Sequence, residues 1–368
     1  MRFSTTLIFI AVLMIYGCGG GSSEDKVESS ACTEDNSTID MPYTINPLYA
    51  SQWSLHRDEA FYREYNIDPD ASIHSVDDPR YRGRGVKIAI IDDQLDTGHE
   101  DLCGARISTW DTETQSQTLP PYDPDDLHGT EVTGLIAAQN NHRGLVGLAN
   151  RSELLFIRLP FEKGEVETSE IIEAFKKADE WGADVINCSW GTGDVEDAVR
   201  AVIDEIATKG RHGKGTIVVF ATGNDNQDIG NDESSLESVF AVGATDKRNR
   251  RAYYSDYGKA LDFMAPGGED IGLVTLDWMG EKGYSKGNYI QAGGHHRFIG
   301  TSAAAPLVSA AAAVILEANG SLTKNELYNV LKESSDKIGE IPYDSDGFNE
   351  KYGYGKINIS SALEIVAP

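Results

Sequence analysis

Six short apolar runs punctuate this chain, at 86–91 (VKIAII), 154–159 (LLFIRL), 183–189 (ADVINCS), 216–221 (TIVVFA), 238–244 (SVFAVGA) and 261–265 (LDFMA). Runs of this length read as strands buried on both faces, the kind found in parallel sheets. Between and after them the apolar spacing is helical, at 129–138, 169–181, 195–209, 302–318 and 323–333. Alternation of strand and helix predicts an α/β fold, a three-layer sandwich with a mainly parallel central sheet flanked by helices. There is no internal repeat and no linker inside this region, so one catalytic-size domain is expected over residues 46–368.

The first residues follow another pattern. Arg2 precedes an apolar run over 7–16, too short to span a bilayer and typical of a secretory signal. It ends in IYGCGGGSSED, where a small residue stands before Cys18. This resembles a bacterial lipoprotein cleavage site, with 1–17 as signal peptide, Cys18 acylated and 18–45 a polar, flexible tether. A plain signal peptide is the alternative. Either implies export to the cell envelope, with the lipid form held on a membrane. An oxidising compartment permits a disulfide, for which Cys32 with Cys103 is the expected pair, leaving Cys188 as a packed thiol.

Charge narrows the partners. The 368 residues carry a formal net charge of −27, which argues against nucleic acid and favours metal ions or basic peptides.

Three stretches place a reactive side chain at the end of a strand or helix. Asp92 follows the first strand, His128 opens HGTEVTGLIAA, and Ser302 lies in GTSAAAP before an alanine-rich helix. Each alone is more often structural; together they follow one of the known chain orders of a hydrolytic triad. Serine needs a base to take its proton, histidine titrates in the right range, and an aspartate fixes the imidazole. A helix N-terminus at Ser302 supplies N–H groups for developing negative charge. Asn224, after the strand TIVVFA and a glycine, is positioned to donate to an oxyanion.

VKIAIIDDQLDTGHEDL, HGTEVTG, INCSWG, FATGND and GTSAAAP resemble the successive signature motifs of the subtilisin-like serine proteases, over roughly residues 46–362. DDQLDTGHEDL, NPLYASQWSL and the acids after SWG are most similar to the kexin/furin branch. The resemblance implies a calcium-stabilised endopeptidase acting on peptides or proteins with basic residues. It implies a substrate cleft lined by Ser189, Trp190 and Gly191. Asp93, with Asp125 and Asp126, would face the second residue before the cut. Asp194 would floor the pocket for the residue at the cut, joined by Asp232 or Glu233. For calcium it implies Asp101 with Asn141 by side chain, Gln139, Arg143 and Leu145 by backbone carbonyl, and Asn46 completing the shell. A second site would use Asp194, Asp228 and Asp256. Asp96 and Glu100 are expected to be solvated.

Two departures stand out. Gln94 occupies a glycine position of the family, and glutamine would be strained there if the backbone needs positive φ. The stretch before Asn46 is also shorter than the family's propeptide, which raises the expectation of a separate folding helper. A broad-specificity subtilase and a catalytically silent peptide-binding lipoprotein are the alternative readings.

Overall fold

The computed structural model describes residues 41–161 and 166–367, which lie in one unit of the chain. The signal, Cys18 and most of the tether fall outside those residues, as does Cys32. Cys103 is disulfide-bonded, and Cys188 is free and buried.

All six apolar runs are strands of one sheet: β1 (Lys87–Asp92), β3 (Glu153–Arg158), β4 (Val185–Cys188), β5 (Ile217–Ala221), β6 (Phe240–Thr245) and β7 (Phe263–Pro266). A seventh, β2 (Arg106–Asp111), sits at the edge, giving the order β2-β3-β1-β4-β5-β6-β7 with every pairing parallel. Two hydrophobic cores lie on opposite faces. Ile88 and Ile90 belong to one, with α2 (His128–Ala137) and α5 (Thr301–Ala318); Ala89 and Ile91 belong to the other, with α3 (Thr168–Trp181) and α4 (Asp197–Gly213). Successive side chains of a strand point to opposite faces, which is why the runs are apolar without interruption.

α5 is long and apolar enough to cross a membrane by length and composition, but it is the central core helix, 83% buried. Regular geometry in α4 gives way at Gly210, Arg211 and His212, next to the sequence boundary expected at Lys209. Four elements had no clear signal in the sequence: α1 (Glu59–Tyr65), β2, the hairpin β8 (Thr275–Leu276) with β9 (Tyr289–Ile290), and α7 (Ile359–Val366). α6 (Lys324–Ser334) was expected, and Thr323 caps it through a capping box with Glu326.

The topology fixes where a site forms. β1 lies between β3 and β4: from β1 the chain passes to the edge strand β2, returns to β3 beside β1, and then crosses to β4 on the other side. At such a switch point a crevice opens at the carboxyl ends of the strands. Asp92 ends β1, and Ser189 follows β4.

Candidate active site

His128 reaches Asp92 directly: Nδ1 lies 2.8 Å from Asp92 Oδ1, which also accepts the Asp93 N–H at 2.9 Å. The bond assigns the proton to Nδ1 and leaves Nε2 as the basic nitrogen. Asp92 Oδ2 is buried with no hydrogen-bond partner among the described residues. The imidazole is about a third exposed by side chain. Burial opposes its charge, but Asp92 outweighs it, with help from Asp93 and Glu131, and lifts the group to about 10.

Asp93 has a structural task. Its Oδ1 accepts the Gly129 N–H at 2.6 Å and its Oδ2 the His128 N–H at 3.0 Å. It therefore satisfies orphan donors at the start of α2. Burial first, then the charge of Asp92, raises its carboxyl to about 6. Gly129 is required here, because a Cβ would lie 2.6 Å from the Phe156 ring and from the Gln94 carbonyl. Gln94 is not among the residues with positive φ, so the glutamine is unstrained; its amide donates to the Pro120 carbonyl.

Ser302 lies in the first turn of α5 behind Gly300, whose φ of 133° is a glycine conformation. Pro306 lacks the N–H that would bond the Ser302 carbonyl. Ser189 Oγ donates to that carbonyl instead, at 3.0 Å, and Ser302 Oγ donates to the Ser189 carbonyl at 2.9 Å. Among the described residues no hydrogen bond joins Ser302 to His128. Catalytic bonds are often unmade in unliganded sites, and a hydroxyl is re-aimed by one torsion. Asn224 Oδ1 accepts the N–H of Thr301 at 2.9 Å and its hydroxyl at 3.1 Å. Those bonds orient the amide and leave Nδ2 as a donor beside Gly300.

A cavity of about 370 Å³ opens next to Ser302, walled by Ser189, Trp190, Gly191 and Gly223 and carrying the carboxylates of Asp225, Asp232 and Asp256. Asp232 accepts the Gly193 N–H at 2.9 Å, and a Cβ on Gly191 would lie 2.4 Å from its Oδ2. Asp256 accepts the N–H groups of Asp225 and Gln227, and burial raises its carboxyl. Asp194 is elsewhere: it accepts the Asn231 amide at 2.6 Å and lines a neighbouring cavity. Glu233 is fully buried, bonded to the N–H and hydroxyl of Thr192, so Asp232 is the acid of that pair in the cavity. Trp190 donates from its indole to the Ile91 carbonyl. Asp126 is buried beside Arg158 at 3.4 Å, an internal ion pair, whereas Asp125 is exposed. Of the acids expected to face the second pocket, Asp125 is the exposed one.

The calcium loop can be tested on its donors. Asp101 is fully buried; its Oδ2 accepts the Leu145 N–H at 3.0 Å and its Oδ1 has no hydrogen-bond partner among the described residues. Burial pushes the carboxyl up to about 8. In the loop that follows α2, the carbonyls of Gln139, Arg143 and Leu145 accept no hydrogen bond among the described residues, while Gly144 O accepts from Leu48. Asn46 Oδ1 accepts the Asn141 N–H at 3.2 Å, and Asn141 Oδ1 accepts from Arg143. A carboxylate with one oxygen unsatisfied, beside three carbonyls that accept no hydrogen bond among the described residues and two amide oxygens, is an all-oxygen donor set that suits calcium. The second set does not fit. Asp194 accepts from Asn231, Asp228 from Gly230, and Asp256 from Asp225 and Gln227, and no cluster of three His, Cys, Asp or Glu suited to a metal occurs among the described residues. Asp96 is buried, not solvated, and accepts the N–H groups of Gly98 and Met279. Glu100 is partly exposed and holds Arg143, Asn288 and Tyr289.

Sequence and fold comparisons agree with this geometry. The profile of the Peptidase S8 subtilase family matches residues 83–355. The chain is 34% identical over 316 residues to a calcium-dependent protease of Trichormus variabilis, covering 78% of this chain and 47% of that one. It is 31% identical over 288 residues to subtilisin of Bacillus pumilus, covering 77% and 93%. The chain thus spans about half the length of the calcium-dependent protease and nearly all of that subtilisin. A serine protease of Aeromonas sobria, solved in complex with a chaperone, has a similar fold, with a TM-score of 0.72 at 22% identity over 88% of this chain and 67% of that one.

Proposed function

The chain belongs to the subtilase family, and from that premise we propose that it is a calcium-stabilised serine endopeptidase that cuts after basic residues. The observation that carries this reading is the Asp92–His128 bond of 2.8 Å on the same crevice as Ser302, beside an acid-lined cavity.

In this reading Ser302 Oγ turns from the Ser189 carbonyl toward His128 Nε2, gives up its proton and attacks the scissile carbonyl. Asp92 holds the imidazolium. Asn224 Nδ2 and the N–H groups at the start of α5 receive the oxyanion. His128 then returns the proton to the leaving amine. Asp225, Asp232 and Asp256 favour a cationic side chain in the cavity by charge-assisted bonding. Asp125 is the acid left to favour a second basic residue. Asp101, Asn46, Asn141 and the carbonyls of Gln139, Arg143 and Leu145 would hold calcium, whose charge offsets the buried carboxylate.

Export, acylation at Cys18 and a separate folding helper complete the reading. Solution of the Aeromonas sobria protease with a chaperone gives the helper a precedent in a similar fold. Soluble, active enzyme obtained from this chain alone would remove the helper.

The test uses paired fluorogenic peptides, one ending in Lys-Arg and one in an apolar residue, with calcium and with chelator, beside Ser302→Ala. Preferential cleavage of the basic peptide, abolished by Ser302→Ala, is expected. Equal cleavage would keep the protease and reduce the cavity acids to surface charge. No cleavage by the folded protein, with or without calcium, would sink the reading.

A further inference from the structure

Glu131 has no part in the chemistry above, yet its side chain is only 4% exposed and sits on α2 one turn beyond His128. Its Oε1 lies 3.2 Å from Nε2 of His296. The His296 ring in turn stacks on Tyr284, with centroids 4.2 Å apart and planes 14° from parallel. Two residues on, Phe298 meets the His128 ring edge-on at 5.7 Å. The same segment then runs through Gly300 into Ser302. It therefore touches α2 twice, at Glu131 and at His128, before delivering the nucleophile. From β8, the Thr275 hydroxyl also bonds the Glu131 carbonyl.

A buried carboxylate is costly unless it is paired. An apolar residue could fill this position on α2 without that cost, so the charge calls for a reason. We infer that Glu131 is a positioning residue for His128: paired with His296 it braces the imidazole-bearing helix against the segment carrying Ser302, and its charge is a fixed anion beside the imidazole in addition to Asp92. The inference rests on the protease reading above.

The charges involved can be named from every side. Asp92 and Asp93 from β1 and its end, and Glu131 from α2, act on His128. His296, His128 and Asp277 act on Glu131, with Tyr284 stacked on His296. Burial raises the Glu131 carboxyl, while the bond from His296 and the charge of His128 oppose that rise. The bond to Glu131 is the main cause holding the proton on His296.

Glu131→Gln deletes the anion, so the imidazolium is less stabilised and its pKa falls. His296→Gln leaves that anion in place, so the pKa does not fall. For a charge one helical turn away, about 6 Å, an effective dielectric of about 40 to 80 makes the shift roughly half to one pH unit.

The experiment follows the His128 ring by NMR titration in the full chain carrying Ser302→Ala, with and without each second substitution, beside thermal unfolding. A fall in Glu131→Gln and no fall in His296→Gln are expected. No fall in Glu131→Gln, or an equal fall in both, in variants that unfold like the parent would overturn the inference. Should Glu131→Gln not fold, His296→Gln at its one-third-exposed position decides: a His128 pKa that does not fall supports the inference, and a fall defeats it. Peptide hydrolysis by the chain with Ser302 intact tests the protease reading separately, since the ring titration needs no turnover.

Discussion

Asp92, Asp93 and Asp101 lie within ten residues of one another and have three different fates, set by what surrounds each carboxylate. Asp92 meets an imidazole, Asp93 meets the N–H groups opening α2, and Asp101 meets a loop of unsatisfied oxygens. Asn224→Ala is expected to lower kcat by about a hundred- to a thousandfold with little change in KM, since in the proposed mechanism its amide serves the oxyanion and not the ground state. Steady-state kinetics on the basic peptide check this. The pH profile follows from His128. As a base it must be neutral, and its pKa is raised to about 10, so kcat/KM should climb with pH well past the ordinary imidazole range. The same raised value makes protonated His128 stabilising below the unfolded value near 6.5, a contribution lost as pH rises through about 10. An acid limb at or below pH 6.5 would contradict this environment.

At the scale of elements, α2 is the sensitive part. Its first N–H groups depend on Asp93, so Asp93→Ala should destabilise the protein by about 1 kcal/mol or more, and lower activity by releasing His128. Gly129→Ala would press a methyl into Phe156 and the Gln94 carbonyl, an overpacking expected to cost about 1–3 kcal/mol. Denaturant unfolding of both variants checks these values; unchanged midpoints would mean that α2 relaxes more freely than its packing suggests. Elements with a strong period were legible beforehand: the six core strands and the five long helices lie within a few residues of their sequence boundaries. β2 was not, because RISTWD alternates exposed and half-buried positions at a sheet edge. The β8–β9 hairpin has two-residue strands whose existence depends on packing against α2, which no local pattern announces.

For the whole molecule, the proposed calcium is the main variable. Ligand binding to the folded state alone adds about 2.7 kcal/mol at a hundredfold excess over Kd. Chelation should therefore lower the unfolding temperature by several degrees, and Asp101→Asn should weaken that response. A melting temperature indifferent to chelator would argue against the loop. The charge of −27 makes electrostatic attraction of a basic substrate global as well as local, so kcat/KM for the Lys-Arg peptide should fall as salt is raised.

The sequence by itself determined the alternating α/β architecture, the order Asp, His, Ser, and the turn carrying each, because strand period, helix period and the small residues around Ser302 are local properties. It also marked Asp101 and the loop after α2 as one oxygen-rich site through family resemblance. Only the tertiary structure decided which acids do what. Asp93 became a helix cap, Asp126 an ion pair with Arg158, Asp194 the partner of Asn231, and Asp232 with Asp256 the charge of the cavity. A carboxylate carries no mark of its role in the chain. Its role is set by which donors, charges and solvent the fold brings within a few ångströms, and those come from residues tens to hundreds of positions away.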